Sequence, residues 1–564
     1  MERQYEAKVI VKNKIAFIII ALLLNCGTNA DYSFNLLGDA FSVWYYKNHP
    51  TISTLHNNKY HDIFKRNDFK SNEQYLLDLN RFYFELTQIN MQKLNLINKV
   101  KYDRVQRTIS KLIYLNEIIK EQDWRPSLKL EEIENGIKYL VNYSYLSDAD
   151  KIDSISGRLS GLEEILENIL TNTTSLSNLE YLNCIKKIDS IIRLLNNIEI
   201  NINYKEDPYS YDLIIKSAKL ISLKLNTYMD KLESMKVTFS DKKYNNAFDF
   251  NNETLKILTE SDYSINELYK KAKKEIRIEQ IKLFNNSLPT FLKDNDEPVW
   301  LDYEDTLNVI RSVIYAIQDD HKIKDLKYVR ESYNKSFKHK NDLNVRFDFY
   351  NTSYDFLYIN EDLDLIDPSN KKIYVNLPEL DIQSVFNIRN KTHYFNEIQI
   401  DLLNAFKLYP GMGYIRSLDS EKIIHQLPNK TTLRGLQRYA ERVFIKSNRN
   451  ASEKHQIIHQ KNIIKDICKC LMDIEYNIND MKIPEIEEYL SYNCFLDGLE
   501  LDEEVFKIKN NYFGLSSIGF IGYYEILDLE NLYIDTFNKN YIKFYDKMIE
   551  NGIVDLENLN IPFN

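Results

Sequence analysis

The chain is poor in the residues that bend a backbone. Its 564 residues include only 13 glycines and 11 prolines, about a third of the usual joint share of ~12%. So few turn-formers exclude a sandwich or barrel of many short strands and favour long helices. Cysteine is scarce as well. Leaving aside Cys26, four remain (Cys184, Cys468, Cys470 and Cys494), too few for a disulfide framework. Cys468 and Cys470 stand two apart on an expected helix and so point to different sides. Buried thiols are the expectation for all four. A Gly-rich phosphate loop and a Gly-x-Ser-x-Gly elbow are missing. Net positive charge is missing too: 73 basic against 83 acidic residues leaves −10. That excludes a general nucleic-acid binder, which needs a basic face to displace counterions.

What is present is apolar and aromatic. Hydrophobic residues make up 44% and aromatics 13%, enough for a large core and against global disorder. One uninterrupted apolar run, Ile15 to Leu24, follows Lys8, Lys12 and Lys14. It is half the ~20 residues of a membrane span and has the build of an export signal. Two exits are open. One is cleavage after Ala30; the other is a lipoprotein box, Leu23-Leu24-Asn25-Cys26, with Cys26 carrying the lipid. Residues 1–30 are therefore expected to be a signal, and the chain to be extracytoplasmic, either free or lipid-anchored. A membrane contact is expected only through that lipid.

Helical periodicity dominates the rest. Leu159, Leu162, Leu166, Ile169 and Leu170 form one apolar stripe. Ser177 to Glu180 reads as a capping box before a helix burying Leu182, Ile185, Ile188 and Ile192. Pro484 suits a first turn. A final helix is expected from Asn531 to Glu550, stopping at Asn551-Gly552. Period-two alternation appears at Val345–Tyr350 and, more loosely, at Lys372–Leu377, with a turn at Asp367 to Asn370. The expectation is a small sheet in a helical protein, followed by a long helix from about Ser384 to Leu408. Two parts are expected: helices over 31–237 and a second part over 238–564.

From about residue 120 onward, landmarks in a fixed order resemble a bacterial family known as domain of unknown function 885, grouped with zincin-like metallopeptidases. They are Asp123-Trp124-Arg125-Pro126, Arg158-Leu159, Tyr374 to Leu377, Pro410-Gly411, then Gly435 with Tyr439-Ala440-Glu441, and Phe544-Tyr545. The resemblance implies a mainly α, zincin-like scaffold with a small β-sheet next to the ancestral active-site helix. It also implies a site over 406–441.

The chemistry of that site is replaced. The family's first zinc histidine matches Phe406 and its general-base glutamate matches Lys407. Its paired histidines match Met412 and Gly413, and its downstream ligand glutamate matches Arg434. Later histidine positions hold Asn477 and Tyr545. A catalytic zinc needs about three nitrogen or oxygen ligands, and none of these side chains is a conventional one, so zinc is expected to be lost. Tyr439, Glu441 and Asp473 complete the degenerate pocket, with Lys407 or Arg434 expected to pair with Glu441 or Asp473. Such a cleft would take an anionic group, for instance a peptide C-terminus.

The favoured reading is an exported, non-catalytic relative that binds a peptide or protein. One alternative is an active metal-dependent peptidase with rearranged ligands. His455 and His459, at the i, i+4 spacing of zinc helices, are the candidates for that. The other alternative is a structural envelope protein with a closed cleft. His393, Glu397 and Asp401 form a further stripe, read as a solvated helix face.

Overall fold

Helices start where short polar side chains can cap them. The computed structural model describes residues 29–55, 59–66, 68–142, 146–174, 176–196, 198, 208–235, 252–294, 303–321, 344–350, 365–367, 372–378, 396–407, 409–411, 415, 427–448, 451–550, 552–560 and 563. The apolar run 15–24, Cys26, His393, Met412 and Gly413 lie outside them. Helix α1 (Ala30–Asn48) opens on Asn29, whose side chain accepts from the backbone N–H of Asp31. Helix α2 (Phe69–Thr87) opens on Asp68, which accepts from the backbone and hydroxyl of Ser71. Helix α3 (Leu96–Ile113) opens on Asn95. Each cap satisfies a backbone donor that the helix itself leaves unpaired.

These three helices enclose the first of three apolar cores. Trp44 of α1 lies on Tyr75 of α2 at 5.0 Å, and Phe41 meets Phe82 edge-on at 5.4 Å. The second core lies among α4 (Pro126–Asn142), α5 (Asp148–Asn172), α6 (Asn178–Asn196) and α7 (Pro208–Ser234). The α5 stripe buries Leu159, Leu162, Leu166 and Ile169 as expected. On α6 the buried face is rotated: Cys184, Ile188, Ile191 and Leu195 are inside, while Leu182 is 46% exposed. One bond of the expected capping box is in place. Ser177 Oγ accepts from the Glu180 N–H, but the Glu180 carboxylate turns to the Ser127 N–H at 2.7 Å.

The third and largest core is built by α8 (Asn252–Thr259), α9 (Ile265–Asp294), α10 (Tyr303–Asp320), α11 (Glu397–Lys407), α12 (Lys430–Ser447), α13 (Glu453–Asn477), α14 (Ile483–Cys494), α15 (Gly498–Asn510), α16 (Ile518–Tyr533) and α17 (Tyr541–Ile549). The expected final helix is divided. After α16 come a 3-10 turn, Ile534–Phe537, and two left-handed residues, Asn538 and Lys539, before α17 begins. Of the expected helix from Ser384 to Leu408, the described part is α11.

The expectation of a small sheet beside the site helix is corrected. Among the described residues the body that carries the site is helical: α11 packs on α12 and α13, and the three cores are lined by helices and the turns between them. Strand geometry is confined to β1 (Asn344–Tyr350), β2 (Leu365–Asp367) and β3 (Lys372–Pro378), which pair with one another in the order β1-β3-β2. Lys372 stands opposite Asn344 in the parallel pair and opposite Asp367 in the antiparallel one. Alternation reports a local preference for extended backbone. It carries no information on which helix, if any, a strand lies against.

The cysteines also depart from expectation. Cys184 and Cys470 are buried thiols, but Cys468 of α13 is joined to Cys494 at the end of α14, Cα atoms 6.4 Å apart. The turn between α13 and α14 folds the second helix back on the first. Spacing along the chain cannot announce that approach.

The N-terminal helices are tied to the large core by buried charge. Arg104 of α3 donates to both oxygens of Glu260 and to Asp555 Oδ1, each at 2.9 Å. Trp124 and Arg125, two of the landmark residues, both lie on the ring of Tyr512.

Candidate functional site

The site region begins at the end of α11, where the chain must reverse. Gly411 sits directly over the last helical carbonyls. A Cβ there would stand 2.0 Å from the Phe406 oxygen and 2.4 Å from that of Ala405, so only glycine fits. The turn leaves Phe406 and Lys407 buried under α12.

Helix α12 is capped by Asn429, whose side chain accepts from the Thr432 N–H. It lies hard against α16 because glycine meets glycine. A Cβ on Gly435 would be 2.2 Å from the Gly522 carbonyl carbon, and one on Gly522 would be 2.1 Å from the Thr431 oxygen. Arg442 then clamps Glu530 of α16 with two hydrogen bonds, 2.8 and 2.9 Å. This close crossing fixes the rotation of α12. Arg434, Gln437, Arg438 and Glu441, spaced i, i+3, i+4 and i+7, share one face.

Phe406 and Arg434 lie side by side. The Arg434 guanidinium carbon is 5.8 Å from the centre of the Phe406 ring, and that of Arg438 is 5.1 Å away. Glu441 joins them, through a residue that sequence reasoning did not single out. Arg438 donates to Glu441 Oε1 at 2.6 Å and to Asp466 Oδ2 at 2.8 Å. The other Glu441 oxygen meets His459 Nδ1 at 2.7 Å. His459 lies edge-on to Tyr523 and its Nε2 makes no hydrogen bond among the described residues.

The group is thus a buried polar chain, Asp466, Arg438, Glu441 and His459, each bonded to the next. Burial alone would push the Glu441 carboxyl up, but Arg438 and the His459 hydrogen bond overcome it and hold it below the ordinary carboxylate range. Burial would likewise lower Arg438; the two carboxylates more than reverse this, so its charge is permanent.

Other expected members lie elsewhere. Tyr439 projects from another side of α12 and stacks on Tyr545 of α17 at 6.0 Å, with Phe544 at 5.8 Å. Asp473 is fourteen residues beyond His459 on α13, about 21 Å along the helix. There it accepts from the Gly514 N–H and from Asn477, both at 2.8 Å. The expected partnership of Lys407 or Arg434 with Glu441 or Asp473 gives way to these bonds. His455 does not share a partner with His459. It closes the cap of α13 with Ser452, and its Nε2 faces Asp401 at 3.4 Å. Among the described residues no group of three or more His, Cys, Asp or Glu is arranged to hold a metal ion. Two clefts, of about 310 and 250 Å³, open on the seam near Arg107 and Glu260, away from Phe406.

No protein-family model matches the chain, and no curated protein matches it. Solved structures do. One is described as "a putative lipoprotein of unknown function from Shewanella oneidensis": TM-score 0.69 and 15% identity, over 94% of this chain and 99% of that one. A second is described as "the putative lipoprotein from Colwellia psychrerythraea": TM-score 0.68 and 11% identity, over 95% of this chain and 98% of that one. At such identities the likeness is one of fold, and it extends over nearly the whole length.

Proposed function

We propose that this chain is an exported, non-hydrolytic relative of the zincin-like family it resembles, with the ancestral metal position closed by its own side chains. The meeting of Phe406 with Arg434 carries this reading. The resemblance assigns these two positions, on different helices, to one metal site, and they do lie against each other. In place of a divalent ion, a permanent cation, Arg438, lies between two carboxylates. Coulomb repulsion from Arg438 opposes entry of a second cation. At the general-base position Lys407 stands in place of a carboxylate and is buried.

Export is supported from three directions. The N-terminal apolar run has the form of a signal. Two proteins of this fold are described as putative lipoproteins. A disulfide joins α13 and α14, as suits an oxidising compartment. Cleavage after Ala30 would strip α1 of its Asn29 cap, whereas lipid on Cys26 leaves that cap in place.

Because Phe406, Arg438, Glu441 and His459 are buried, the closed site favours a role in binding or in envelope structure, exerted through the surface. The test is metal content and hydrolysis together, on protein purified from the bacterial envelope. The expectation is well below one zinc per chain and no cleavage of a quenched-fluorophore peptide library. About one zinc per chain, with cleavage abolished by chelation, would overturn the proposal. Labelling with a fatty-acid probe, lost in Cys26→Ser, tests the anchor separately.

A further inference from the structure

The first turns of α1 and α3 are pinned side by side. Asp31 Oδ1 accepts from the Asn95 N–H at 3.0 Å and from Asn98 Nδ2 at 2.8 Å. A turn further in, the rings of Phe34 and Tyr102 lie 6.0 Å apart. The first two turns of α1 and the first turn of α3 carry large apolar side chains outward. Tyr32 and Ile97 are each 60% exposed, and Leu36 and Leu96 each 53%. A single exposed leucine is ordinary. Four such groups on adjoining turns form a patch that calls for an occupant.

Chain continuity identifies it. The apolar run ends at Leu24, and α1 begins at Ala30. Six residue steps, fully extended, span at most about 21 Å. With lipid on Cys26 the tether shortens to four steps, about 14 Å. Any bilayer that holds the run or the lipid therefore lies within that reach of Ala30, two residues before Tyr32. Tyrosine, with an apolar ring and a hydroxyl tip, suits the headgroup level of a membrane.

We infer that the end of the N-terminal helices bearing Tyr32, Leu36, Leu96 and Ile97 rests on the bilayer surface. The anchor supplies attachment and the patch supplies orientation. The first turn of α1 faces the lipid. This inference rests on the export proposed above.

The test uses the full chain reconstituted in vesicles of phosphatidylethanolamine and phosphatidylglycerol, with part of the lipid brominated on its acyl chains. Tryptophan is introduced by Ile97→Trp, or at a control position by Leu223→Trp; Leu223 is 66% exposed on α7. Melting curves confirm that both variants fold. The expected result is loss of most of the added fluorescence at position 97 and none at 223. Co-flotation with vesicles but equal quenching at the two positions would overturn the docking face while leaving export intact. A lipid-independent dimer that Ile97→Ser dissolves would give the face to a second copy and overturn it as well. Failure of the chain to float with vesicles at all would remove both the anchor and the docking.

Discussion

Glu441 has a positive neighbour on one oxygen and an imidazole on the other, both out of water. Glu441→Gln keeps the shape and removes the charge, leaving Arg438 with Asp466 alone. Breaking a buried ion pair on one side costs about 3 kcal/mol, and urea unfolding should show that loss. Asp473 makes a second, opposite case. Burial pushes its carboxyl up to about 7, from an ordinary 3.8. Between those two pH values the folded protein keeps a proton that the unfolded chain has released, so stability falls as pH rises through that window. Asp473→Asn should flatten this part of the pH profile. Glu260 bends the profile the other way. Burial would raise it, but Arg104 and Lys111 hold it down to about 2. Its contribution is present above an ordinary 4.5 and is lost as pH falls towards 2. Urea midpoints from pH 3 to 8, for the wild type and Asp473→Asn, separate the two. Of the residues that the resemblance singled out, Phe406 and Arg434 lie side by side, and Glu441 reaches them only through Arg438. Asp466 was not legible in the sequence, because its bond to Arg438 joins two helices 28 residues apart, and no local pattern announces such a bond. The i, i+3 spacing of Arg438 and Glu441 was the available clue.

At the scale of the helices, the crossing of α12 and α16 sets two ordinary rules against each other. Helix propensity says that Gly435→Ala should gain roughly 1 kcal/mol. Packing says the reverse, since the new methyl would stand 2.2 Å from the Gly522 backbone; overpacking costs up to about 3 kcal/mol. A lowered melting temperature is expected, and a raised one would show that the helices can part cheaply. The helices themselves were legible, because caps and apolar stripes are local signals: Ser177 and the α5 stripe both behave as read. The failures are those of tertiary packing. Glu180 accepts from Ser127 of another helix, the buried face of α6 is rotated, and two left-handed residues divide the last helix. Alternation at 345–350 could not say that the site helix packs on helices instead.

For the whole molecule, the Cys468–Cys494 bond closes a loop of 26 residues between two helices of the largest core. The chain-entropy relation gives about 3 kcal/mol for such a loop. Reduction, or the double change Cys468→Ser and Cys494→Ser, should lower stability by that order in denaturant titrations. Stability unchanged by reductant would show that the link adds nothing. Arg104 has a different consequence, one of timing. Its acceptors, Glu260 and Asp555, follow it by 156 and 451 residues. A polypeptide made from its N-terminus forward produces this guanidinium long before either carboxylate exists. Until residue 260 has been added, the guanidinium has neither of these buried carboxylates to pair with and has to remain hydrated. Arrival of Asp555 then adds the last of the three bonds by which the two halves are held shut.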